Sequence, residues 1–69
     1  MGAEKLDGKT RKNIQQGASV EIVQKHHQRT GELTEGIVKK ILTKSLNHPH
    51  GIKVQIENGL VGRVKNVLI

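Results

Sequence analysis

Whatever core this chain builds, it builds without a single Phe, Trp, Tyr or Cys. Packing falls to Val, Ile and Leu, twenty residues of which fourteen are β-branched. β-Branched side chains are stiff at χ1 and fit a pleated surface better than a helix. The chain is therefore expected to be mainly β. The lack of cysteine removes disulfide staples and thiolate metal sites. At 69 residues there is room for one domain. A domain this small buries only about 60% of its unfolded surface and holds about 3–10 kcal/mol of stability.

The order of the elements follows from spacing. Residues 1–9 hold one large apolar residue, Leu6, between two glycines, so they are expected to form a disordered lead. Thr10 to Gly17 suits one or two helical turns, with Thr10 as N-cap and Gly17 just past the end. From Ser19 the period becomes two, and Val20 and Ile22 mark a half-buried strand. His26 to Glu32 is a polar loop. A second strand is expected from about Leu33 to Thr43, with Gly36 as a bend or bulge because the apolar positions do not alternate cleanly. Ser45 to Gly51 is a break around Pro49.

Ile52 to Glu57 then alternates three aliphatic with three polar residues, the cleanest strand pattern in the chain. Asn58-Gly59 predicts a hairpin. A two-residue loop would pair Val54 with Arg63. A three-residue loop pairs Ile56 with Leu60, Val54 with Gly62 and Ile52 with Val64, and keeps the apolar faces together. Val67 to Ile69 is read as a short closing strand. Four or five short strands in residues 10–69 are most economically buried by curling one sheet on itself. The expected architecture is a small SH3-like barrel, with an OB-like barrel as the alternative.

Charge narrows the function classes. Twelve Lys and Arg against six Asp and Glu give a net charge of +6, a field that attracts nucleic acid or an acidic protein. Lys39, Lys40, Lys44, Lys53, Arg63 and Lys65 fall on strands or their ends, and Lys25 and Arg29 flank the first loop. In the three-residue register Lys53 and Arg63 both point away from the core. Arg29, Lys39, Lys40, Lys44, Lys53, Arg63 and Lys65 are the candidate contacts for phosphate oxygens. The absence of aromatics removes the usual stacking platform for single strands. Recognition is therefore expected to be of backbone and shape, as for structured RNA.

Other chemistries find less support. No nucleophile elbow, P-loop or dinucleotide fingerprint is present, so the chain reads as a non-enzyme with no cofactor. The histidines fall in two pairs, His26-His27 and His48-x-His50, in separate loops. A zinc site wants three or four convergent ligands, so no metal site is assigned. No apolar run approaches the roughly 18 residues of a membrane span, and the N-terminus has no secretory pattern. A cytoplasmic monomer is expected.

The pieces Ile14-x-x-Gly17-x-x-Val20-x-Ile22-Val23, Gln28-Arg29-Thr30-Gly31-x-Leu33-Thr34-x-Gly36, Val38, Ile41-Leu42-Thr43, His48-Pro49-x-Gly51-Ile52-Lys53-Val54 and Gly62-Arg63-Val64 resemble the YwbE-like family of small, functionally uncharacterised proteins. The resemblance spans Ile14 to Val64 and implies a compact globular domain with no assigned activity. His27 stands where that family tends to carry Asp, so a role needing a carboxylate there does not carry over. A looser likeness, in the Ile-Lys-Val…Asn-Gly…Gly-Arg-Val hairpin, is to KOW-type SH3-like barrels. Those modules bind RNA or proteins of the gene-expression machinery. The expected function is thus an RNA-binding module. The alternative is a protein-interaction adaptor that docks on an acidic partner or adds an edge strand to it.

Overall fold

The computed structural model describes residues 5–68, and of Lys5 only the backbone. Five strands form one antiparallel sheet: β1 Lys5–Asp7, β2 Ser19–Gln24, β3 Thr34–Ile41, β4 Lys53–Ile56 and β5 Val61–Leu68. The order is β1-β5-β2-β3-β4, and a further β4–β5 pairing closes it. The result is a four-strand barrel with β1 added beside it, a mainly β barrel as the sequence implies. No helix among the described residues is long and apolar enough to cross a membrane.

β5 is the spine. One edge pairs with β2 from Gly62 to Leu68. The other edge is shared: β4 takes the first half, with Lys53 opposite Arg63, Val54 opposite Gly62 and Gln55 opposite Val61. β1 takes the second half, from Leu68 to Asn66. The hairpin register is the three-residue one. The Ile56 amide donates to Leu60 O at 2.9 Å and the Val64 amide to Ile52 O at 2.8 Å.

The core consists of Ile14, Val20, Ile22, Val38, Ile52, Val54, Ile56, Val64 and Val67. Every one is β-branched. Leu6, Leu33, Leu42, Leu46 and Leu60 are all exposed. Stiff Val and Ile side chains fill the narrow interior at little rotamer cost. Each full burial contributes roughly 1.5–3 kcal/mol.

Two bulges let the strands curl. Val64 and Val67 are three apart, yet both are buried, which a strict alternation forbids. The register shift between Glu21 and Ile22 on β2 places Asn66 and Val64 opposite consecutive residues and leaves Lys65 as the extra one. β3 repeats the device. Val38 opposes Ile56 and Lys40 opposes Gln55, so Lys39 is the extra residue, and Val38 and Ile41 both reach the core. Gly36 was the expected bulge position, and the bulge lies at Lys39 instead. Gly36 has another reason: a Cβ there would run into the Ile56 side chain of neighbouring β4.

Other expectations need correcting. The lead over residues 1–9 is not unstructured from Lys5 onward. β1 pairs with β5, Gly8 O accepts from the Ile52 amide, and Lys9 O accepts from the His48 amide. Residues 1–4 lie outside the described residues. Thr10 to Gly17 makes only a single 3-10 turn at Arg11–Asn13, and Thr10 makes no side-chain cap. Its backbone is drawn off to the 46–52 loop instead, with the Arg11 amide donating to Leu46 O at 2.8 Å. Val67 and Leu68 form no separate strand, because β5 continues through its bulge; Ile69 lies outside the described residues.

Candidate nucleic-acid interface

The outer face of β5, together with β2, β4 and the loops beside them, is concave. A groove of ≈ 940 Å³ has aliphatic lining from Leu6, Val23, Leu33 and Pro49 and polar lining from Asp7, Lys9, His50, Arg63 and Lys65. A second hollow of ≈ 440 Å³ continues it past Gln28 and is lined by Lys25, Lys53, Val61 and Arg63. Val23, Gln28 and Arg63 belong to both. The two form one trough crossing the sheet.

Each cation arrives for a local reason. Lys53 and Arg63 are directly opposite on β4 and β5, both on the outward phase set by buried Val54, Ile52 and Val64. Lys65 is turned outward by the bulge. Lys25 follows Gln24 into a 3-10 turn at Lys25–His27. Lys9 is held by the lacing of residues 8–11 onto the 46–52 loop. Arg63 is half-buried, and its Nη1 donates to Gly51 O at 3.1 Å, which fixes the guanidinium at the centre of the trough. That loop geometry depends on Gly51, whose φ is 101°.

The charge balance of the trough is lopsided. Among the described residues His27 and Glu32 form an ion pair, 3.2 Å apart, and Asp7 is the one carboxylate in the lining of the two hollows. Asp7 is engaged in its own turn, accepting from the Lys9 amide at 2.8 Å and the Thr10 hydroxyl at 3.3 Å. Like charges directly opposite on adjacent strands destabilise a sheet. The Lys53–Arg63 pair therefore costs stability in the free protein and offers two donors to an anion.

Of the seven residues expected from sequence, Lys53, Arg63 and Lys65 come together here. Lys39, Lys40 and Lys44 do not line the trough. In a four-strand barrel β3 lies across from β5, so Lys39 and Lys40 face the other side. Arg29 is exposed in the turn after β2; its neighbours Gln28 and Gly31 line the groove and it does not. Lys9 and Lys25 join the trough without having been among the seven. Lys25 was legible, since it continues the outward phase of Glu21 and Val23. Nothing in the sequence signalled Lys9.

The histidines make two local structures. His48 Nδ1 accepts from the His50 amide at 3.1 Å. Its partial burial first, then the positive charge of Arg63 and of His50, hold its imidazole below the usual 6.5. The His26 and His27 rings pack with centroids 4.0 Å apart and planes tilted by 51°. No group of three or more metal-ligating side chains stands together among the described residues. The lowered His48 value makes the folded chain bind fewer protons than the unfolded one just below pH 6.5. Its stabilising effect is present above 6.5 and is lost as pH falls through the folded value. Melting curves at pH 7.5 and 5.5 should show a smaller acid loss for His48→Gln than for the parent; equal losses would exclude this linkage.

Comparison with known proteins places the chain. The family model described as "Uncharacterized conserved protein (DUF2196)" matches residues 7–67. The chain is 51% identical over 63 residues to "Uncharacterized protein YwbE" of Bacillus subtilis (strain 168), covering 91% of this chain and 97% of that protein. The chain belongs to the YwbE-like DUF2196 family. No solved structure matches it. The matched span of this YwbE-like chain takes in all of β2 to β4 and the trough residues Lys9, Lys25, Lys53, Arg63 and Lys65.

Proposed function

We propose that this YwbE-like protein is an RNA-binding module that grips the phosphate backbone in the trough across β5. The observation that supports the reading is the gathering of Lys9, Lys25, Lys53, Arg63 and Lys65 in the lining of two hollows that share Arg63, with Asp7 as the one carboxylate lining them among the described residues. Arg63 supplies a planar fork of donors and the lysines supply point charges. Binding of this kind releases counterions and depends steeply on salt. The rival reading is an adaptor that docks on an acidic partner or adds an edge strand. Among the described residues the edge strand beside the barrel is the three-residue β1, a short template for that form of it.

A salt titration of RNA binding tests the proposal. With about five neutralised phosphates the log–log slope is expected near −3.5 to −4.5. Replacing Lys39, Lys40 and Lys44 together by Ala should change affinity by less than about threefold. Replacing Lys9 and Lys25 by Ala should make the slope shallower by about 1.4–1.8. A salt-independent affinity, or a larger loss from the β3 set than from the trough pair, would refute the assignment.

A further inference from the structure

The trough carries two chemistries side by side, and the second decides what form of nucleic acid suits it. The groove that takes lining from Lys9, Arg63 and Lys65 also takes it from Leu6, Val23, Leu33 and Pro49. Leu6 and Leu33 are 39% and 40% exposed, although the core takes up nine other aliphatics. A duplex hides its base faces within the stack and presents sugars and phosphates on a convex surface. It has nothing apolar to lay against these two leucines. An unpaired strand does, since its bases turn out and expose flat apolar faces.

Spacing along β5 agrees. Arg63 and Lys65 are two residues apart, about 7 Å at 3.3–3.4 Å per residue, a span suited to neighbouring phosphates on one strand. Both line the same groove as Leu33.

We infer that the occupant is a short unpaired RNA segment, its phosphates along Lys53, Arg63 and Lys65 and its bases laid against the aliphatic lining at Leu6 and Leu33. This rests on the reading of the trough as an RNA surface. It replaces the expectation of structured RNA, which followed from the missing aromatics: an aliphatic floor takes the place of the ring.

The test is fluorescence anisotropy on the full chain at about 50 mM salt. One probe is a labelled twelve-nucleotide RNA of mixed A and U with no self-complementarity. The other is the same strand annealed to its complement. The single strand is expected to bind at least about fivefold more tightly than the duplex. Leu33→Ser and, separately, Leu6→Ser should each weaken single-strand binding about threefold or more and leave duplex binding unchanged. Duplex binding equal to or tighter than single-strand binding would overturn the inference while leaving the RNA reading intact. So would unaffected leucine variants alongside a weakened Arg63→Gln. If neither RNA binds, both fail. Equal competition by polyglutamate of the same length would show a surface for acidic peptides and overturn both. The single-strand to duplex ratio of the parent protein needs no variant, so it stands even if a leucine variant fails to fold.

Discussion

Changing Lys53 to Glu and Arg63 to Gln together is expected to weaken RNA binding by at least about 100-fold at low salt. Hydrogen bonds to charged groups contribute about 1.5–3 kcal/mol each, so losing two removes about 3–6 kcal/mol. Arg63 lines both hollows, and Lys53 opposite it lines the second. The single change Lys53→Glu separates function from folding. It sets a carboxylate directly opposite Arg63, turning a repulsive cross-strand pair into an attractive one. Stability should rise by about 0.5–1 kcal/mol while RNA affinity falls. Binding by titration and unfolding by urea check the two signs. A double variant that binds within threefold of the parent, or a Lys53→Glu chain that is less stable, would contradict the account.

The second large effect concerns Gly51. Its φ is 101°, and a Cβ there would collide with the carbonyl oxygen of Val64. That carbonyl is backbone in the middle of β5 and has little room to move. The Gly51 amide also donates to His48 O at 3.0 Å, and its own carbonyl receives Arg63. Gly51→Ala is therefore expected to cost on the order of 3–4 kcal/mol. For a domain of this size that lowers Tm by roughly 12–30 °C. Gly59 gives the matched comparison, with φ 92° and nothing within 4 Å of an added Cβ. Gly59→Ala should cost only about 1–2 kcal/mol, the conformational part alone. Thermal melts of the two variants measure the difference, and equal shifts would mean the collision with Val64 is relieved at no cost.

Much of the barrel was legible because the core code is simple. Val20 and Ile22, then Ile52, Val54 and Ile56, alternate with polar residues and define two faces with no tertiary information. The Asn58-Gly59 turn plus the demand that apolar faces coincide selected the three-residue register, and with it the Lys53–Arg63 pairing. What escaped notice were features written in the backbone. Residues 5–9 are ordered by amide and carbonyl partners on β5 and the 46–52 loop, and composition does not display such bonds. That is why Lys9 was missed. Lys39 and Lys40 were placed with the other cations because a strand position alone does not say which side of a closed barrel it faces. Only the strand order, with β3 across from β5, separates them. Leu6 and Leu33 were equally silent, since five of the six leucines are exposed and nothing local distinguishes these two.

The two bulges bear on how chain length can vary in proteins of this shape. Lys39 and Lys65 are surplus to the inward–outward count of their strands. A shortened chain lacking Lys65 would still direct Val64 and Val67 to the interior, with Asn66 between them. Loss of Arg63, two positions earlier, would turn Val64 out to solvent and empty the barrel's centre. One-residue deletions among relatives should therefore gather at positions 39 and 65 and avoid the rest of β3 and β5.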